Sequence, residues 1–109
     1  MSSIGKVMNA MIGYYAGDVR RINHFLKVYG FAKAIGESEG LDEATQKILE
    51  IAALTHDIGI RNSEKKYNSS AGDLQQTEGP PEAKKMLTGL GLDPLLIDRV
   101  CWLIAHHHT

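Results

Sequence analysis

The chain has 109 residues, 43% hydrophobic and 23% charged, with a formal net charge of −1. That is enough for one small domain with a single core, and it excludes the basic excess that a nucleic-acid-coating surface needs. One cysteine excludes an intrachain disulfide, and there is neither a charged segment leading into an apolar one nor an apolar run near the ~18 residues of a membrane span. The expected setting is the cytoplasm, with neither a nucleic-acid polymer nor a membrane as partner.

Ile4, Val7, Met8, Met11, Ile12 and Tyr15 recur at i, i+3, i+4 and i+7, which predicts an amphipathic helix over 4–15. Its methionine stripe reads as core or as an interface with a second copy, so a homodimer is open. Gly13 and Gly17 weaken its end. Asp18 can cap a second helix from about Val19 to Ser38, carried by Ile22, Phe25, Leu26, Tyr29 and Ala32, that stops near Gly40. Asp42 is the next cap. Ile48, Leu49, Ile51, Ala52 and Leu54 are apolar on nearly every side and predict a buried central helix. It ends around His56-Asp57, with Gly59 suited to a left-handed position after it.

From Arg61 to Gly79 there is no periodicity, and the segment reads as a long surface loop. Pro80-Pro81 starts another helix that reaches about Gly89. Asp93-Pro94 repeats the cap-plus-proline signal. Leu95, Leu96, Ile97, Val100, Cys101, Leu103 and Ile104 make that last helix nearly all apolar and predict its burial. Cys101 reads as a small buried hydrophobe and Trp102 as packing. No segment reads as a strand. The expected fold class is all-α, a single domain of about five helices.

His56 and Asp57 close an apolar helix, where adjacent polar groups are costly unless compensated. A divalent metal compensates by taking a neutral imidazole nitrogen and a carboxylate oxygen together, and a helix C-terminus favours a nearby cation. The alternative is a solvent-facing helix end. His24 lies mid-helix beside Phe25, where a core histidine bonded to backbone is the alternative to a ligand. His106 and His107 end the last helix, with His108 as a neighbour. A tag remnant is the competing reading, opposed by Thr109 and the continuous apolar helix.

Taken together, R-I-N-H ending at His24, H-D-I-G at 56–59 and the paired late histidines resemble the HD-domain superfamily of metal-dependent phosphohydrolases. The resemblance covers 18–109, read as the HD-type domain, with 1–17 as an N-terminal amphipathic helix and turn. It implies an all-α fold, one or two divalent ions (Mn, Fe, Co, Ni, Zn or Mg), and hydrolysis of a small phosphate ester such as a nucleotide by metal-activated water. It implies His24, His56 and Asp57 as the first three metal ligands, with Asp57 able to bridge two ions, and His106 and His107 as later ligands. Glu78, just before Gly79-Pro80-Pro81, stands where many members place a histidine or glutamate.

Asp57, Glu78, Arg21 and Lys27 make up the expected catalytic set. Arg21 and Lys27 flank His24 on one helix face and would hold substrate, the arginine by paired hydrogen bonds and the lysine as a point charge. Snorkelling surface side chains are the plainer reading of both. Arg61, Lys65 and Lys66 are further basic candidates. One departure stands out: the superfamily pattern closes with an aspartate on a further helix, and nothing after the late histidines matches it. The chain is therefore expected to be a fragment of a longer protein, or else a degenerate member, with an incomplete metal site. Two other classes compete with the enzyme: an HD-fold nucleotide- or metal-binding regulatory module without turnover, and an interaction domain that docks through 4–15. Only the site can decide among them.

Overall fold

The computed structural model describes residues 2–68 and 72–106, with backbone alone for Tyr67 and 72–76. The elements are α1 (Ser3–Tyr14), α2 (Val19–Ser38), α3 (Glu43–Thr55), α4 (Ile60–Tyr67), α5 (Gly72–Gly89) and α6 (Pro94–His106), and no strand occurs among the described residues. The all-α class and the five expected helices are present. No described helix is long and apolar enough to cross a membrane. The chain divides into two compact units, Met1–Leu54 and Thr55–Thr109.

In the first unit the caps fall where residue chemistry puts them. The Ser2 hydroxyl accepts from the Gly5 N–H at 3.1 Å and starts α1. Val7 and Met11 are buried, so the methionine stripe is core at Met11. Gly17 turns the chain at φ 88°. Asp18 then starts α2, accepting from the Arg21 N–H at 3.2 Å and from Arg21 Nε at 2.9 Å. Tyr15 and Phe25, both buried, bring their rings to 6.4 Å and tie the end of α1 to α2.

Asp42 caps α3 by accepting from the Thr45 N–H at 2.7 Å. The Gln46 side chain lies against Gly36, where the missing side chain leaves it room. Its amide nitrogen donates to Glu50 at 2.8 Å and to the Lys33 carbonyl at 3.4 Å. The buried Glu50 carboxylate also accepts the Tyr29 hydroxyl. Burial first, and then Glu50, push the Tyr29 phenol above its ordinary value.

In the second unit α5 packs on α6 and α4 packs on α5. Ala83 and Leu87 from α5 and Ile97, Val100 and Ile104 from α6 are buried. The segment expected as a loop is helical: it holds α4 and the start of α5. Periodicity missed α4 because, among its described side chains, only Ile60 and Ser63 are buried and the rest are polar. Asn62 Nδ2 donates to Glu82 at 3.1 Å, tying it to α5. Asn68 ends it at φ 54°, a left-handed position that asparagine tolerates.

Pro80 and Pro81 lie inside α5 rather than at its start. Their fixed φ suits a helix, and their missing N–H groups deprive only two carbonyls, those of residues 76 and 77. Gly59 is not left-handed. At φ −75° and ψ −13° it is the N-cap of α4, because a new helix begins at once. The last helix is buried on one face only, since Leu95 and Trp102 are exposed. Trp102 nonetheless stacks on the His106 ring, with centroids 4.2 Å apart.

Candidate metal centre

His56 and Asp57 stand not in a helical turn but in the tight bend at 56–59 that joins α3 to α4. Two backbone bonds fold it: the Ile58 N–H donates to the Thr55 carbonyl and the Ile60 N–H to the Asp57 carbonyl, both at 3.0 Å. Ile58 and Ile60 are fully or nearly buried and anchor the bend. His56 and Asp57 are left partly exposed, at 16% and 18% of their side-chain surface.

His56 Nε2 lies 3.0 Å from Asp57 Oδ2. Two donor atoms each ~2.1 Å from one ion and at right angles to each other are about 3.0 Å apart. The pair therefore has the spacing of neighbouring ligands on a single cation. A nitrogen and an oxygen donor in a half-buried bend also suit a divalent ion chemically.

Glu78 lies on α5. A Cβ built on the next residue, Gly79, would meet the Gly59 nitrogen at 3.8 Å, so this step of α5 lies against the bend. The Glu78 carboxylate is buried, and Lys66 Nζ at the end of α4 donates to its Oε1 at 2.8 Å. This partner of Glu78 was not visible in the sequence. A lysine twelve residues upstream finds it only because α4 and α5 fold back on each other. Arg61 and Lys65 are exposed on α4, one turn apart.

On α2, His24 and Lys27 are exposed. Arg21 is bonded to Asp18 through Nε and lies 6.0 Å over the Tyr15 ring. His106 is exposed at the end of α6 and directs Nδ1 at the Trp102 carbonyl, 2.7 Å away. A carbonyl only accepts, so Nδ1 carries a proton and Nε2 is the nitrogen left to face a metal. His107 lies outside the described residues. Burial pushes the Cys101 thiol up and its Sγ meets the Pro80 carbonyl at 3.5 Å, which suits a small hydrophobe and not a nucleophile.

A family model described as HD domain matches residues 21–109. No curated protein and no solved structure matches the chain. The match spans most of the sequence and includes every expected ligand, so the chain belongs to the HD-domain superfamily, whose members are generally metal-dependent phosphohydrolases.

Proposed function

We propose that this member of the HD-domain superfamily hydrolyses a small phosphate ester, such as a nucleotide, with His24, His56 and Asp57 as its metal ligands. The observation that carries the reading is the His56–Asp57 pair, held 3.0 Å apart in a bend of the second unit. Two imidazoles and one carboxylate, the set that the superfamily pattern implies, suit the reading chemically. Such a set, free of thiolate, suits Mn, Fe, Co, Ni or Zn. An ion held there would supply hydroxide at neutral pH, by lowering the pKa of water from ~15.7 toward ~7, and would neutralise charge on the phosphoryl oxygens.

The chain's own groups do the remainder. His24 and His56 serve as neutral imidazoles and Asp57 as a carboxylate. His106 has the tautomer a later ligand needs, with Nδ1–H fixed by backbone and Nε2 as donor atom. Arg61 and Lys65 follow the motif directly and offer cations to a phosphate. Lys27 and Arg21 on α2 are further cations for that role, Arg21 with its Nε bonded to Asp18. The buried Glu78 carboxylate takes the proton of the attacking water.

Phosphate release from p-nitrophenyl phosphate and from 5′-mononucleotides, measured with each candidate metal, tests the reading. Turnover is expected in the wild type and lost in His56→Ala and Asp57→Ala. Turnover that survives both substitutions overturns it, while metal binding without turnover points to the regulatory module instead.

A further inference from the structure

We propose that Lys66 is a positioning residue whose ammonium fixes the buried Glu78 carboxylate, one residue before the step of α5 that meets Gly59, as a proton acceptor. The proposal rests on the phosphohydrolase reading and adds a residue to it. The two ends of the pair differ sharply in exposure: 59% of the Lys66 side chain is in solvent, against 11% for Glu78. A carboxylate so enclosed needs hydrogen-bond donors or a cation facing it. Lys66 supplies both in one contact of 2.8 Å.

The position is set from both sides. Gly79 leaves no room for a side chain, because its Cβ would stand 2.7 Å from Ile104 Cγ2, so α5 sits close to α6 and to Gly59. Lys66 comes from the last turn of α4, the helix that starts directly after the bend. One short helix thus links the His-Asp pair at its start to the Glu78 partner at its end.

In the reaction a water oxygen forms a bond to phosphorus while the ester P–O bond breaks. The proton released by that water goes to the Glu78 carboxylate and then to the leaving oxygen, so charge and atoms balance. In this scheme Lys66 acts through Glu78 and contacts neither the attacking water nor the phosphate. With its ammonium committed to Glu78, its loss lowers kcat and leaves KM alone. Lys65, exposed one residue earlier, is a phosphate contact, and its loss raises KM.

The test uses the full chain with Mn²⁺ and p-nitrophenyl phosphate. Lys66→Met keeps the apolar stem and removes the charge. It is expected to lower kcat at least about tenfold, within the ~10²–10⁴ that general-base catalysis contributes, with KM within about twofold. Lys66→Arg is expected to restore kcat, and Lys65→Ala to raise KM. A raised KM with unchanged kcat in Lys66→Met makes Lys66 a phosphate contact and overturns the proposal.

A second readout needs no turnover. With glutamate labelled by ¹³C at Cδ and Glu78 assigned through Glu78→Gln, Mn²⁺ is expected to broaden the Glu78 signal in the wild type and in Lys66→Arg, and to broaden it less in Lys66→Met. Equal broadening in all three proteins, together with unchanged kcat wherever turnover is measured, overturns the positioning role alone. A wild type in which Mn²⁺ broadens no site signal overturns the phosphohydrolase reading, and the role of Lys66 with it.

Discussion

A Cβ added to Gly79 would stand 2.7 Å from Ile104 Cγ2, inside the contact distance of two carbons, and 3.8 Å from the Gly59 nitrogen. Ile104 is fully buried and has little room to give. Gly79→Ala is therefore expected to destabilise the fold by about 1–3 kcal/mol, the usual cost of overpacking. Chemical denaturation measures this, and a variant as stable as the wild type would show that α5 can shift away from α6. At the same scale, His56 and Asp57 stood out in the sequence because H-D-I-G closes an apolar helix downstream of His24, a pattern that resembles the superfamily's. Glu78 was legible only as a position before a glycine, since its cation, Lys66, stands on a helix that no apolar pattern announces.

At the scale of the element, caps decide where helices start, and one of them titrates. The Asp42 carboxyl is held below its ordinary value of 3.8, chiefly by the backbone N–H of Thr45, with the Thr45 side chain and the Ala44 N–H adding to it. A group with a depressed folded pKa stabilises the fold fully above the unfolded value and loses that contribution as pH falls through the folded value. Asp42→Ala is thus expected to lower Tm near neutral pH, with a deficit that shrinks as pH falls below about 3.8. A Tm deficit that stays constant down to the acid transition would contradict the cap's role. The same chemistry made Asp18, Asp42 and Asp93 readable as helix starts, and each cap bond is present. Pro80 misled because a proline is favoured at a helix start yet also fits inside α5, where tertiary packing on α6 outweighs two lost hydrogen bonds. Gly59 misled because a glycine after a helix suggests a left-handed stop, whereas here it opens α4.

At the scale of the whole molecule, the all-α class was plain because every apolar run repeats at the helical period or is apolar all round, and none alternates. Burial along α6 was overestimated for a related reason. A composition that is apolar nearly all round hides which face meets α5, and Leu95 and Trp102 lie on the other one. The HD-domain match over 21–109 places the His-Asp bend within a superfamily of metal-dependent phosphohydrolases, and the central proposal is that His56 and Asp57 of this bend hold an ion. Elemental analysis tests it most directly, on protein purified without a nickel column, comparing the wild type with His24→Ala and Asp57→Ala. The account predicts about one divalent ion per chain in the wild type, because metal binding contributes to the folded state, and loss of it in both variants. A wild type without metal, or an Asp57→Ala protein that keeps it, would contradict the account.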